Sequence, residues 1–149
     1  MLPTGPKRFF LVTLMALAAL LPQAAFGMAD DTPYAALARL ASSLSKGDGV
    51  AAMAAFDPAM KGYGAMEASV QALVAQADVL CSIEVLQDAA KGADMALDTD
   101  WYLQIKSQAD GGPTERRRER ISVSMRLQAG VWRIVAISST TILAPINIR

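Results

Sequence analysis

The sequence predicts an α+β fold, in which three N-terminal helices pack on one face of a curved, mainly antiparallel sheet of at least four strands. Two features of the chain lead to this prediction. Apolar residues recur at helical spacing from residue 33 to about residue 77. From residue 79 onward they alternate with polar residues instead, and turns containing glycine separate the alternating runs.

Start and stop signals divide the first half of the chain into three helices. Thr32, which is followed by proline, is typical of an N-cap, and Gly47 is typical of a helix end. Asp48 can cap a short second helix, which the Asp-Pro pair at Asp57 ends. A third helix is predicted in the stretch GYGAMEASVQALVAQAD, residues 62–78.

Four strands are predicted in the second half of the chain. They are VLCSIEVLQD (residues 79–88), DMALDTDWYLQIKS (94–107), ERRRERISVSMRLQ (115–128) and VWRIVAISSTTIL (131–143). The Ala-Gly turn between the last two strands is expected to set Trp132 beside Leu127 and Arg133 beside Arg126. Alternation then places Val135 and Ile137 on the outer face, which is the side of the sheet turned away from the helices.

Residues 1–27 have the pattern of a secretory signal peptide. Lys7 and Arg8 precede an apolar run of 13 residues, Phe9–Leu21, which is shorter than the roughly 20 residues of a spanning helix. Cleavage is expected after Gly27, with Ala29 as the alternative, and an uncleaved membrane anchor is the competing interpretation. We therefore expect an exported protein, periplasmic or secreted, with no stable membrane span after cleavage.

The charge balance argues against a nucleic-acid-binding protein. Removal of residues 1–27 takes two of the 14 basic residues and leaves 12 against 14 acidic residues. A nucleic-acid-binding domain would carry a basic excess. Alternation divides the run ERRRER, residues 115–120, between the two faces of a strand: Arg116, Arg118 and Arg120 point outward, and Arg117 and Glu119 lie at the rim of the inner face. The outward arginines are interpreted as part of a dimer face, with a solvated strand face as the alternative.

The residue types required for common catalytic mechanisms are scarce. The chain has no histidine, which is the most frequent general base and metal ligand, and its single cysteine, Cys81, falls on the apolar face of a strand. The predicted inner faces of the strands carry no deep carboxylate, although acid–base catalysis needs a positioned titratable group. Asp57, Tyr34 and Tyr63 could enter from the helices. We predict no catalytic residue, no metal site and no cofactor.

Three features together resemble the nuclear transport factor 2-like superfamily, of the SnoaL-like, cystatin-type cone. They are the helix junction LSKGDGVAAMAAFDP, the third helix before a long strand, and the closing hairpin GVWRIVAIS. The resemblance covers Tyr34 to Thr141 and places a domain at residues 34–143, after a short segment at 28–33 and before a tail at 144–149. It implies a strongly bent sheet, a conical pocket and frequent dimerisation through the sheet. It implies no particular reaction, because the cone hosts isomerases, hydrolases, dehydratases and non-catalytic modules.

A pocket and a dimer face are expected on this frame. The residues expected to line the pocket are Met53, Phe56, Tyr63, Met66, Val70, Trp101, Met125 and Trp132. They could instead fill the core. The residues expected to form a homodimer face are Asp98, Asp100, Tyr102, Arg120, Arg126, Arg133, Val135 and Ile137. Such a face, acidic on one side and basic on the other, is self-complementary about a two-fold axis.

The strand pairing assumed for this face is specific. Asp98 and Asp100 are expected opposite Ser124–Arg126, and Tyr102 is expected near Arg120. An alternative is that the C-terminal tail covers Val135 and Ile137.

The sequence therefore predicts an exported, non-catalytic cone module that binds an apolar small molecule or a partner protein in the cell envelope. Two alternatives stay open. One is a pocket enzyme of the isomerase, dehydratase or hydrolase type that uses Asp57 or Tyr63, and the other is an assembly protein that acts through a sheet-face homodimer.

Overall fold

The computed structural model describes residues 31–147 and confirms the α+β architecture. Helices α1 (Pro33–Ser45), α2 (Gly49–Met53) and α3 (Tyr63–Gln76) come first. Strands β1 (Ala77–Lys91), β2 (Asp94–Ser107), β3 (Thr114–Gln128) and β4 (Val131–Ile137) follow, and a 3-10 turn at Thr141–Leu143 ends the described chain. The predicted signal peptide lies outside the described residues.

The capping residues act as the sequence predicts. The Thr32 hydroxyl accepts a hydrogen bond from the backbone N–H of Ala35 at 3.0 Å, and the Asp48 carboxylate accepts one from Ala51 at 2.9 Å. These bonds satisfy N–H groups that have no partner inside the helices. Gly47, with a φ of 71°, occupies the left-handed region after α1.

The four strands form an antiparallel sheet in the order β1-β2-β3-β4. The helices contact its inner face, and the buried apolar side chains of both layers form a continuous core. Ile134 of β4 also exchanges backbone hydrogen bonds with Ala55 and Asp57, which covers part of the exposed edge of β4. No helix within residues 31–147 is long and apolar enough to span a bilayer.

The hairpin between β3 and β4 has the predicted register. Leu127 pairs with Trp132, and Arg126 pairs with Arg133. Ala129 and Gly130 both adopt positive φ, 49° and 80°, as a two-residue turn between twisted strands requires.

The register between β2 and β3 differs from the prediction by two residues at Tyr102 and by at least four at Asp100. Asp100 lies opposite Arg120, Asp98 lies opposite Ser122, and Tyr102 lies opposite Arg118. An even shift keeps every side chain on its predicted face, which is why alternation alone could not detect it.

Two predictions about the last strand are wrong. A β-bulge inserts Val135 opposite Ser124 and Met125, so that Ile137 pairs with Val123 and packs against the core instead of facing outward. The strand also ends at Ile137 rather than at residue 143, because the chain then leaves the sheet and buries Ile142 and Leu143 elsewhere.

Candidate functional site

The interior is filled where the pocket was expected. Six of the eight predicted lining residues are buried in the core with at most 3% exposure: Met53, Phe56, Met66, Val70, Trp101 and Met125. Tyr63 and Trp132 are half-buried against the core. The larger clefts of residues 31–147 open at the surface, and each contains at most one of the eight.

A short polar chain completes the interior. Thr99 is the buried polar residue of the described chain, at 0% exposure. Its hydroxyl donates to the Ile121 carbonyl at 2.6 Å and accepts from the Trp101 indole N–H at 2.8 Å. Both polar groups are therefore satisfied without water, and none is left to act on a ligand.

Asp57 and Tyr63 are not arranged as a catalytic pair. The Asp57 carboxylate accepts hydrogen bonds from the Ala59 N–H and from Gln128 Nε2, both at 2.9 Å, and these bonds lower its pKa. It therefore stays ionised, and each of its oxygens already accepts one hydrogen bond. Burial raises the pKa of Tyr63, which keeps the phenol protonated. Each side chain has a local structural role.

Cys81 is an inert thiol. It is 8% exposed, and burial raises the pKa of its thiol to about 12. Thiolate is the reactive form of cysteine, and at neutral pH a thiol with this pKa is almost entirely protonated. Among residues 31–147, no group of three or more histidine, cysteine, aspartate or glutamate side chains is placed to hold a metal ion.

Three ion pairs connect β2 and β3 on the outer face. Asp94 binds Arg126, with its shortest distance at 2.7 Å. Asp98 binds Arg120 and Asp100 binds Arg118, each with a shortest distance of 2.5 Å and with both Nε and Nη2 as donors. The hydrogen bonds from arginine lower the pKa of each aspartate.

These pairs change the interpretation of the predicted dimer face. Its acidic and basic residues were expected to meet across a two-fold axis, but the aspartates of β2 are already neutralised by the arginines of β3 in the same chain. Arg133 lies beside Arg126 on this face and makes no ion pair within residues 31–147. The outer face is thus a nearly neutral surface with fixed charges.

Two open clefts flank the sheet. One, of about 550 Å³, crosses the outer face over small side chains such as Ala96, Ser122 and Ala136. The other, of about 490 Å³, lies between the N-terminal half of α3 and β4, and we call it the α3–β4 cleft. Its apolar lining consists of Met60, Ala65, Met66, Val135, Ala136 and Ile137. Val135, predicted on the outer face, therefore lines this cleft at the edge of the sheet.

A second site was missed by the sequence reasoning. The C-terminal segment, Ser139–Asn147, does not cover the outer face. It packs between α3 and the first half of β3, where Arg117 and Gln76 bind its main chain. Alternation had placed Arg117 inward, and an inward arginine near a strand end was the signal that a partner for it had to exist.

Solved structures share this fold. A nuclear transport factor 2-like superfamily protein from Salmonella enterica serovar Typhimurium LT2 matches with a TM-score of 0.58 and 16% identity, over 77% of this chain and 89% of that one. A nuclear transport factor 2-like protein of unknown function from Shewanella oneidensis MR-1 matches with a TM-score of 0.54 and 9% sequence identity, over 70% of this chain and 92% of that one. A protein of unknown function from Mycobacterium tuberculosis matches with a TM-score of 0.58 and 15% sequence identity, over 70% of this chain and 66% of that one.

No profile of a known protein family matches the chain, and no curated protein matches it. At these sequence identities the structural similarity establishes the fold alone.

Proposed function

Because the chain has the nuclear transport factor 2-like fold, we propose that it is an exported, non-catalytic module that binds a protein through the outer face of its sheet. The bound protein is a second copy of the chain. The observation that carries this proposal is the outer face itself, which is open across all four strands and has its aspartates and arginines paired in cis.

Pre-paired charges make this face suitable for burial. A single buried charge loses its hydration without compensation, whereas an ion pair that is already formed keeps its partner when water leaves. The face also exposes Leu80, at 57%, beside Gln104 of β2. Protein interfaces bury exposed apolar side chains of this kind at their centre and keep charged side chains at a polar rim.

The filled interior supports a non-catalytic role. The side chains at its centre are apolar, and the one polar pair, Thr99 and Trp101, is saturated by internal hydrogen bonds. Acid–base or nucleophilic chemistry needs a titratable group that can reach a substrate. Of the candidate side chains, Asp57 has a pKa lowered by its two hydrogen bonds, which makes it a weak base, and Cys81 is held as a thiol.

Sedimentation of the mature chain tests the dimer. We expect a dimer at tens of micromolar, and we expect Ala96→Arg to dissociate it, because Ala96 lies on the outer face between Ala89 of β1 and Ser124 of β3. The matched control is Ala38→Arg on the exposed side of α1. A wild-type monomer at these concentrations, or equal dimerisation of both variants, contradicts the proposal.

The export part of the proposal depends on residues 1–27. Expression of the full-length chain in a Gram-negative host should give a shortened protein in the periplasmic fraction, with an N-terminus at Met28 or Asp30 by intact mass. A full-length product in the cytoplasm or in the membrane would contradict it.

A second candidate function is binding of an apolar small molecule, and the α3–β4 cleft favours it. Its volume of about 490 Å³ is within the range of ligand pockets, roughly 300–1,000 Å³, and methionine contributes two lining side chains, Met60 and Met66. In this candidate function the ligand binds in the α3–β4 cleft at the edge of the sheet, instead of in the predicted pocket between the helices and the sheet.

Nile red fluorescence tests the cleft. Emission should increase with wild-type protein and should fall in Ala65→Trp, which fills the cleft. Ala68→Trp, at an exposed position of the same helix, is the matched control and should behave as wild type. Equal emission from both variants would remove this candidate.

A further inference from the structure

The C-terminal segment, Ser139–Asn147, is packed like a bound ligand. Ile142 and Leu143 are 2% and 0% exposed, although the segment belongs neither to a long helix nor to the sheet. Its 3-10 turn contacts α3 on one side and β3 on the other. We call the region between these two elements the α3–β3 site.

The polar contacts at this site involve main-chain atoms of the segment. Arg117 Nη1 donates to the carbonyl oxygens of Ile142 at 3.0 Å and Ala144 at 2.5 Å. Gln76 Oε1 accepts from the N–H of Ile146 at 2.9 Å. The contacted residues are 142, 144 and 146. Main-chain hydrogen bonds, combined with buried aliphatic side chains, are a way in which clefts hold peptides.

The recognising side chains are fixed within the domain. Arg117 Nε donates to Glu115 Oε1 at 2.6 Å and Nη2 to Oε2 at 3.3 Å, so that the guanidinium is oriented by its own strand. Only Nη1 is left for the segment. Because Glu115 already neutralises Arg117, the free donor suits a neutral carbonyl oxygen better than a carboxylate. A pre-organised donor lowers the entropy lost on binding.

We propose that the α3–β3 site is a peptide-binding site that the chain occupies with its own C-terminal segment. The same site takes, in trans, a partner peptide that carries two adjacent aliphatic residues in a 3-10 turn when the segment leaves. Ile142 and Leu143 show the side chains that the site accepts, and Arg117 with Gln76 supplies the main-chain contacts. This site is separate from the outer face and does not depend on dimerisation there.

The segment is placed to leave without unfolding the sheet. It has no strand pairing, and its internal backbone bonds are two turn contacts, from Leu143 N–H to Thr140 O and from Ala144 N–H to Thr141 O. Terminal segments held in this way open before the core does. A tethered segment has an effective concentration on the order of millimolar, so that a free peptide competes only when the anchors of the segment weaken.

Peptide binding to the full mature chain tests the proposal. The probe is a fluorescent peptide of residues 139–147, STTILAPIN, followed by anisotropy. Leu143→Asp weakens the segment in cis, since an aspartate cannot remain in the apolar site. We expect this variant to bind the peptide at least about ten-fold more tightly than wild type does. A peptide with aspartate in place of both aliphatic residues should not bind.

A pair of neighbouring arginines provides the matched control. Adding Arg117→Gln to Leu143→Asp should abolish peptide binding, because the donor to the peptide carbonyls is lost. Adding Arg116→Gln instead should leave binding unchanged, since Arg116 is exposed on the opposite face of β3. Equal effects of the two substitutions would contradict main-chain recognition by Arg117.

Three further outcomes would overturn the proposal. One is a Leu143→Asp chain that keeps its circular dichroism spectrum and binds no peptide. Another is a Leu143→Asp chain that loses its sheet signal, because the segment would then be an integral part of the core. A third is a concentration-dependent dimer that Leu143→Asp abolishes, which would identify a second copy as the occupant.

Hydrogen exchange of the wild-type chain gives an independent measurement. The amides of Leu143 and Ala144 should exchange at least about a hundred-fold faster than those of the central strand β2, since the segment opens locally. Exchange at equal rates would contradict a segment that leaves the site.

Discussion

At the scale of single residues, the interior depends on Thr99. Replacement by valine keeps the shape but removes the acceptor of the Trp101 indole N–H, which is fully buried. An unsatisfied buried donor should lower the free energy of unfolding by about 1–3 kcal/mol. Urea unfolding measures this loss. Thr114→Val, at an exposed position, should change it by less than about 0.5 kcal/mol. A Thr99→Val protein as stable as wild type would contradict the assignment.

Ala129 carries backbone strain in the turn between β3 and β4. It has a φ of 49°, where a Cβ is unfavourable. Ala129→Gly should therefore raise the free energy of unfolding by about 0.5–1 kcal/mol. The control is Ala38→Gly, in the exposed middle of α1, which should lower it by about 1 kcal/mol. If glycine destabilises at both positions, the turn is not strained.

The burial of single residues was largely predictable, whereas the identity of their partners was not. Alternation correctly placed Trp101 and Met125 inward and Arg126 outward, because it depends only on neighbours in the chain. The partners of Arg117 lie 25 and 27 residues further along the chain. No local pattern encodes a contact over that separation.

At the scale of elements, the ion pairs between β2 and β3 should make stability depend on acidity. Hydrogen bonds from arginine hold the pKa of Asp94, Asp98 and Asp100 below the ordinary value of 3.8. Their contribution is therefore complete above that value and is lost as the pH falls through the lower folded values. Stability should fall from about pH 4 downward.

A triple variant measures this contribution. Asp94→Asn, Asp98→Asn and Asp100→Asn combined should flatten the dependence of urea unfolding on pH below about pH 4. Asp110→Asn, in the exposed turn before β3, should leave it unchanged. A triple variant with the same acid profile as wild type would show that the pairs contribute nothing to folding.

The register of these elements shows where local reasoning ends. The two-residue turn at Ala129 determines directly how β3 pairs with β4, and the pairing of Arg126 with Arg133 was predicted correctly. The turn before Thr114 is longer, and an even shift in register leaves no trace in alternation. The bulge at Val135 was also undetectable, because the inserted residue is apolar like its neighbours.

At the scale of the whole molecule, Cys81 reports global unfolding. Its thiol is buried and has a pKa raised to about 12, so that a disulfide reagent at neutral pH should react only with unfolded molecules. The labelling rate should rise with urea in parallel with loss of the circular dichroism signal. The control is Cys81→Ala combined with Ser82→Cys, which exposes a thiol one position away and should react at once. Fast labelling of the native wild type would contradict the burial.

The overall architecture was predictable because it follows from composition and periodicity along the chain. The change from helical to alternating spacing before Val79 corresponds to the junction of α3 and β1. Whether the cone encloses a pocket was not predictable in the same way. The pocket residues are apolar in either case, and only the three-dimensional packing shows that Phe56, Trp101 and Met125 fill it.

The first described residue has a consequence for the order in which the protein is made. Asp31 accepts a hydrogen bond from the backbone N–H of Trp132 at 3.1 Å, across a separation of 101 residues. A chain synthesised from its N-terminus cannot form this contact before β4 has left the ribosome. Burial of Ile142 and Leu143 comes later still. Folding of this domain is therefore completed only after residues 142 and 143 have left the ribosome, which makes its last steps post-translational with respect to all four strands.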